Sequence, residues 1–216
     1  MSVTITIVII VFTGITSFLA FSNRDLMDKL IFSPPDVARR NQWYRFFSCG
    51  LIHADIGHLV FNMYAFYMFG DKVENIFQYI FPTGGSLLYL VMYVSALAVC
   101  LIPTYNRNKD NYYYKSLGAS GAVSAVIFVA IFLDPLSGIG LIFIPSLSIP
   151  GFVFGILYLI GTAYLDKRGS DNINHSAHLW GALYGIVFLI AMSFALNTGF
   201  NPFTNFVNQV KDYFIK

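Results

Sequence analysis

The sequence predicts an all-α membrane protein, a six-transmembrane-helix bundle that forms a single domain over residues 1–216. Two observations predict this class. The chain is 56% hydrophobic and 11% charged, whereas soluble domains carry about 25% charged residues. The charges are also clustered, and the stretches between the clusters approach or exceed the roughly 20 residues that span about 30 Å of hydrocarbon. The uncharged stretches are 1–23, 75–106, 116–133, 135–165 and 172–209.

These stretches and one shorter run supply the predicted helices. The run 56–70 contains Asn62 and is shorter than a full span, but an odd number of crossings is needed between its neighbours, so it is counted as a helix. The first helix is expected to be retained, because no Lys or Arg precedes it and no signal-peptide cleavage site is evident. The predicted helices cover about 3–22, 55–72, 84–102, 117–133, 150–165 and 176–196.

Three connecting segments are expected to lie at the membrane surface. The longest, 22–50, contains Trp43 and Tyr44, and such rings favour the interface. The segment 144–151 is interrupted by two prolines, which disrupt helices, so a turn at the membrane edge is expected there. The tail after Asn197 mixes aromatic and charged residues and is expected to lie along the interface or to fray.

Charge, cysteine content and the absence of repeats exclude other classes. The net charge is +2 and the basic residues are spread over several loops, so no nucleic-acid partner is expected. Two cysteines, one of them inside an apolar stretch, do not suggest a disulfide framework. A small transporter or channel would be expected to carry an internal repeat or charges deep in several helices, and the sequence has neither.

Polar side chains inside membrane spans are functional candidates, because they are costly there. His58 and Asn62 lie near the start of the second predicted helix, Ser120 near the start of the fourth and His178 near the start of the sixth. Even-numbered helices of a serial bundle cross in the same direction, so their starts share one membrane face. His58 and Asn62 are four residues apart and project from one side of their helix. The four side chains are therefore predicted to converge.

Small residues surround two of these candidates and favour close packing of the helices that carry them. A GxxxG pattern follows His178, and such patterns let two helix backbones approach closely in a membrane. Close approach would bring the Ser120 hydroxyl to an imidazole nitrogen. The small residues predicted to support this contact are Gly118, Gly121, Gly181 and Gly185.

A serine beside a histidine predicts nucleophilic catalysis. His178 would remove the Ser120 proton as Oγ attacks a carbonyl carbon and would return a proton to the leaving amine. The oxyanion needs donors, and the candidates are the His58 side chain, the Asn62 side-chain amide and the Ser120 backbone N–H.

A dyad is predicted rather than a triad, because no acidic residue lies beside these groups within a span. Asp166 and Asp171 fall in the loop before the sixth helix, so packing would have to orient His178. His175 is a rival base one turn earlier, and His178 is preferred because it carries the glycine register. His53 lies outside the span and is expected to support the loop.

With these motifs in this order, the chain resembles the rhomboid family of intramembrane serine proteases over residues 43–185. The resemblance implies a six-helix fold and a Ser120–His178 dyad without metal or cofactor. The implied activity is cleavage of single-pass transmembrane proteins in or near their membrane segment, within a lipid bilayer. The motifs are Trp43-Tyr44-Arg45, His53 with His58 and Asn62, Glu74, Gly118-Ala119-Ser120-Gly121, and Ala177-His178 with Gly181 and Gly185.

The resemblance also implies supporting elements. Arg45 and Glu74 occupy positions expected to be structural, and the fifth helix with the loop before it is expected to be a mobile gate for substrate. Many relatives carry an aromatic residue one turn after the nucleophile, stacked on the catalytic histidine, whereas this chain has Ser124. We expect Ser124 to serve packing and another element to orient His178. The alternative function is a catalytically inactive rhomboid-like protein that binds membrane clients.

Location and orientation complete the expectations. A multi-pass protein of the cell membrane is expected. Family topology would put the loops before the second, fourth and sixth helices outside the cytoplasm, although they hold ten of the thirteen basic residues and the positive-inside rule favours the reverse. The family orientation is preferred, because some of these charges lie at a distance from the helix ends.

Overall fold

The computed structural model describes residues 3–141, 144–169 and 173–215. Within these ranges the chain forms eleven α-helices, one 3-10 helix (Cys49–Leu51) and one antiparallel strand pair. The helices are α1 (Ile5–Ser22), α2 (Arg24–Leu30), α3 (Pro34–Arg40), α4 (Arg45–Ser48), α5 (Ile56–Ile80), α6 (Gly85–Val99), α7 (Ile102–Asn108), α8 (Ser120–Leu133), α9 (Gly151–Arg168), α10 (His175–Ala195) and α11 (Pro202–Ile215). The strands are β1 (Gly138–Leu141) and β2 (Ile144–Pro150).

Three helical segments of the described chain are long and apolar enough to cross a membrane: Ile5–Ser22, Gly85–Asn108 and His175–Ala195. Helix α8 is apolar but has only 14 residues. Helices α5 and α9 have 25 and 18 residues, and both carry charged residues towards their C-terminal ends. The helical fold is therefore as expected, whereas the count of six crossings stays a prediction.

Helix α5 extends to Ile80, beyond its predicted end at 72, and two of the charged residues near that boundary have partners in other segments. Lys72 Nζ lies 2.6 Å from an Asp134 carboxylate oxygen beyond the end of α8. The buried Glu74 carboxylate accepts from the backbone N–H groups of Ile5 and Thr6 and from the Thr6 hydroxyl, each at 2.9 Å. Glu74 thus joins the C-terminal half of α5 to the first turn of α1.

The segment 144–151 differs from its prediction. It forms β2 and the first residue of α9 instead of a simple turn, and β2 pairs with β1 so that Gly138 faces Pro150 and Ile139 faces Ile149. Each strand of a two-stranded pair has a free edge, where proline removes no ladder hydrogen bond. The prolines that indicated a break are therefore compatible with a hairpin that leads directly into α9.

Much of the C-terminal tail is the regular helix α11, so the tail does not fray over these residues, whereas its interfacial position stays a prediction. The Phe206 ring stacks on the Phe132 ring with centroids 4.7 Å apart. The side-chain amides of Asn205 and Gln209 both donate to the carbonyl oxygen of Leu133, at 3.2 and 3.1 Å. Such carbonyls lack partners at the end of a helix, so α11 completes the C-terminal end of α8.

The long connection 22–50 contains short helices α2 to α4, held together by Arg45. This side chain is 5% exposed. Its Nε donates to Gln42 Oε1 at 2.6 Å, and its Nη1 donates to the carbonyl oxygens of Asp28 and Ile31. A guanidinium supplies five donors in a fixed plane, which suits a position where several backbone carbonyls converge.

Helix α8 lies at the centre of the bundle, with twelve of its fourteen residues buried. Its closest neighbour is α10. A Cβ atom added to Gly181 would clash with the carbonyl oxygen of Gly121, and one added to Gly185 would clash with that of Ala125. From the first contact to the second, both chains move forward by four residues. The two helices therefore run parallel, with their backbones in contact over successive turns.

We predict that Gly185→Ala destabilises the protein, because the added methyl group meets backbone atoms that cannot rotate away. Overpacking of this kind costs about 1–3 kcal/mol. The matched control is Gly14→Ala in α1, where the added Cβ has no atom within 4 Å. Thermal unfolding in detergent should show a lower midpoint for Gly185→Ala than for Gly14→Ala, and equal midpoints would contradict the described helix contact.

Candidate active site

Ser120 and His178 are brought into direct contact. Ser120 is the first residue of α8, and His178 lies in the first turn of α10. The Gly121–Gly181 contact sets these two helix starts at the same level, and the Ser120 Oγ and His178 Nε2 atoms are 2.7 Å apart. This distance is that of a hydrogen bond between a hydroxyl and an imidazole nitrogen.

The N-terminus of α10 is fixed by Asn174, a residue that the sequence analysis missed. Its Oδ1 accepts from the Ala177 backbone N–H and from the Thr104 hydroxyl, both at 3.0 Å. Its Nδ2 donates to the Ser116 hydroxyl at 3.3 Å. Asn174 therefore caps the helix that carries His178 and ties it to the loop before Ser120. An asparagine directly before an apolar helical run is an N-cap signal that was available in the sequence.

The loop before Ser120 requires a glycine at Gly118. Its φ of 109° lies in the left-handed region that favours glycine. A Cβ there would also stand 2.9 Å from Cε1 and 3.1 Å from Nε2 of His58. The Gly118 N–H donates to the Cys49 carbonyl oxygen at 2.9 Å. The loop thus lies against the edge of the His58 ring.

His58 and Asn62 lie on the first turns of α5. The Asp55 carboxylate caps this helix by accepting from the His58 backbone N–H at 2.8 Å, and Nδ1 of the His58 ring accepts from the Ala54 backbone N–H at 3.5 Å. The Asn62 Nδ2 group donates to the His58 carbonyl oxygen at 3.0 Å. An amide carries two N–H bonds, so this contact uses one of them.

All four predicted site residues line one cavity of about 1400 Å³. The cavity follows α8 from Ser120 to Asp134, about 20 Å at the rise of an α-helix, with α5 and α9 on its two sides. Lys72 and Asp134 line its far end and form an ion pair there. The lining therefore changes from polar groups at the dyad end to apolar side chains in the middle and an ion pair at the other end.

His53 lies behind His58 and is fully buried. The Ser17 hydroxyl donates to the Leu51 carbonyl oxygen and lies 3.0 Å from His53 Nδ1. Because the single hydroxyl proton is used, His53 must donate through Nδ1–H, and Nε2 is left as an acceptor. Burial, with the nearby His58 as a smaller cause, lowers the pKa of His53 from 6.5 to about 4. His53 therefore stays neutral at physiological pH and joins α1 to the loop before α5.

The remaining candidates are placed around this site. His175 is the first residue of α10, and its ring lies edge-on to the His178 ring with centroids 5.9 Å apart. The Ser120 contact thus belongs to His178 and not to the rival base. Asp166 pairs with Arg107 at 3.2 Å within the last turn of α9, and Asp171 lies outside the described residues.

Comparison with known proteins identifies the family. The family model described as the rhomboid domain matches residues 40–194, and this chain belongs to the rhomboid family. It is therefore an integral membrane protein, with the helical segments described above as its candidate spans.

Three relatives illustrate the similarity. RHOMBOID-like protein 12, mitochondrial, of Arabidopsis thaliana is 33% identical over 172 residues, covering 75% of this chain and 50% of that protein. The presenilin-associated rhomboid-like protein, mitochondrial, of Homo sapiens is 29% identical over 136 residues, covering 62% and 34%. The rhomboid protein YdcA of Bacillus subtilis is 27% identical over 146 residues, covering 68% and 65%. The chain thus spans about half the length of the first relative and about a third of the second.

We predict that acid destabilises the protein in part through His53. The pKa of His53 in the folded state, about 4, lies below its unfolded value of 6.5. Its stabilising contribution is therefore complete above pH 6.5 and is lost as the pH falls towards 4, by up to about 1.4 kcal/mol per pH unit. Between pH 7 and pH 5 the unfolding midpoint should fall more for the wild type than for His53→Gln, which retains a donor for Ser17. An equal fall in both proteins would contradict the neutral buried histidine.

Proposed function

We propose that this protein is an intramembrane serine endopeptidase that cleaves single-pass transmembrane proteins in or near their membrane segment. The 2.7 Å contact between Ser120 Oγ and His178 Nε2 carries the proposal, because a serine needs a base within hydrogen-bond reach to act as a nucleophile. Membership of the rhomboid family supports it. The reaction needs no metal and no cofactor, since water is the only co-reactant.

The proposed reaction has two halves. His178 Nε2 takes the Oγ proton as Oγ bonds to the scissile carbonyl carbon, and the same proton then goes to the amine nitrogen as the C–N bond breaks. The first product leaves as an amine, and an ester to Ser120 remains. Water then attacks this ester, His178 takes a proton from the water and returns it to Oγ, and the second product leaves with a new carboxyl group.

The oxyanion of each half-reaction would lie between α8 and α5. The Ser120 N–H belongs to the first turn of α8, where backbone donors have no partner within the helix. The Asn62 amide retains a second N–H beside its bond to the His58 carbonyl. The His58 ring lies against Gly118, two residues before the nucleophile. These three groups are the proposed donors, and preorganised donors of this kind are a main source of catalysis.

A transmembrane substrate would approach along the cavity beside α8. Phe61, Tyr64 and Met68 of α5 line the cavity and are also about half exposed, and Phe154 lines it from α9. The gap between α5 and α9 therefore offers an apolar path from the lipid towards Ser120. We infer that α9, together with the hairpin that precedes it, forms the gate through which the substrate enters.

Several finer predictions belong to this proposal. We retain the single domain over 1–216, which the contacts of α1 with Glu74 and of α11 with α8 support. The family orientation also stays a prediction. The cell membrane competes with a mitochondrial membrane, because the relatives include proteins named as mitochondrial as well as a bacterial one.

We predict that purified protein reacts with a fluorophosphonate at Ser120 and cleaves a model single-pass substrate. Ser120→Ala and His178→Ala should each reduce cleavage to background, because either change removes half of the dyad. Mass spectrometry locates the adduct, and gel analysis follows the cleavage. His175→Gln is the matched control and should remain active. Cleavage that survives both dyad changes would exclude the proposed mechanism, and binding of the substrate without cleavage by the wild type would favour the inactive alternative.

We also predict that Asn62→Ala slows cleavage by about 10²- to 10³-fold without abolishing it, because one of several oxyanion donors is lost. The effect should fall on kcat, with KM little changed, since the donor acts on charge that develops during the reaction. Asn75→Ala is a control on the same helix, because the Asn75 amide is exposed and donates only to Asp71. Equal rates for Asn62→Ala and the wild type would remove Asn62 from the oxyanion site.

A further inference from the structure

His178 has an aromatic neighbour that comes from an unexpected helix. The ring of Tyr158, in the middle of α9, lies nearly parallel to the His178 ring, with an interplanar angle of 28° and centroids 6.5 Å apart. This separation is within the range of offset aromatic pairs. Tyr158 also lines the cavity that contains Ser120. The imidazole that contacts Ser120 therefore has a nearly parallel aromatic ring as a neighbour.

Tyr158 is also bonded to α8 through its hydroxyl group. Its hydroxyl lies 2.8 Å from the Ser124 hydroxyl, and Ser124 is 3% exposed. Buried tyrosine hydroxyls require such a partner. Ser124 stands four residues after Ser120 and hence on the same side of α8, one turn further along. The hydroxyl pair thus joins α9 to α8 one turn beyond Ser120. Ser124 therefore makes a hydrogen bond in addition to the packing role expected for it.

Helix α9 is much less buried than α8. Only four of its eighteen residues are buried, namely Gly151, Phe152, Gly155 and Thr162, against twelve of fourteen in α8. Elements with few buried contacts open at lower free energy than the core. The Ser124–Tyr158 hydrogen bond is one of the contacts that hold α9 beside the site, together with the packing of the Tyr158 ring against the Phe128 ring, with centroids 5.4 Å apart.

We propose that Tyr158 is a positioning residue for His178 and that it makes the dyad sensitive to the position of α9. This inference rests on the proposed protease function. With α9 closed against α8, the tyrosine ring restrains the imidazole plane so that Nε2 points at Ser120 Oγ. When α9 moves away, the bond to Ser124 breaks and the ring leaves the imidazole in the same event. Substrate entry beside α9 and alignment of the base are thereby coupled.

Two readouts separate this role from a purely structural one. A fluorophosphonate is small and reacts with Ser120 without any need for a docked helix, whereas a transmembrane substrate must enter beside α9. Tyr158→Leu should slow fluorophosphonate labelling and kcat together, by about tenfold to a hundredfold, as expected for a displaced catalytic group. KM should change by less than about threefold. Tyr164→Leu on the same helix is the matched control, because Tyr164 is 61% exposed, and should match the wild type in both assays.

Conservative variants test the hydrogen bond. Tyr158→Phe keeps the ring and loses the hydroxyl, and Ser124→Ala removes the partner of that hydroxyl. Each variant should therefore show a smaller decrease in labelling rate and kcat than Tyr158→Leu. The double variant should be no slower than either single variant, because both remove the same interaction. Multiplying effects in the double variant would show that the two hydroxyls act independently and would overturn the anchoring role of Ser124.

The outcomes distinguish this inference from the proposed function. A wild type that neither labels nor cleaves refutes the protease function and the inference with it. A wild type that does both, with Tyr158→Leu labelled at the wild-type rate, refutes the inference alone. If Tyr158→Leu changes only KM for the transmembrane substrate, Tyr158 belongs to the entry path and does not position His178.

Discussion

The site depends on the direct backbone contact between α8 and α10. Lipid provides no hydrophobic force to press two apolar helices together, so their association relies on close packing. Gly181 and Gly185 allow α10 to approach α8 until backbone atoms touch, and that contact sets the relative height of the two helices. Ser120 and His178 sit at the starts of these helices, and their hydrogen bond follows from a register that the glycines determine.

Around this contact, several segments meet at one end of the bundle and surround the Ser120–His178 pair. Asn174 caps α10 and binds the loop before Ser120. Among the described acidic residues, Asp166 is the nearest in sequence to His178, and it forms an ion pair with Arg107. The tautomer of His53 follows from its contact with Ser17 on α1. His178 is consequently placed by a helix cap and by backbone packing, and the Tyr158 ring lies beside it.

Sequence patterns predicted the dyad because each of its residues is accompanied by small residues at helical spacing, which report packing directly. Sequence patterns failed where a contact with a residue distant in sequence decides the structure. The end of α5 was placed too early because Lys72 and Glu74 resemble a boundary until their distant partners Asp134 and Thr6 are known. The role of Tyr158 depends on the rotation of α9 about its own axis, and an isolated tyrosine in an apolar run carries no information about that rotation.

The carboxylate of Glu74 meets its donors only after a delay during synthesis. These donors belong to the first turn of α1, which leaves the ribosome nearly seventy residues before Glu74 does, and N-terminal parts of a chain begin to fold first. An unpaired carboxylate is unfavourable at membrane depth, so pairing with α1 lowers the cost of placing Glu74 inside the bundle. Both partners of this contact are synthesised before α8 and α10, so the contact between α1 and α5 can form ahead of the pairing of Ser120 with His178.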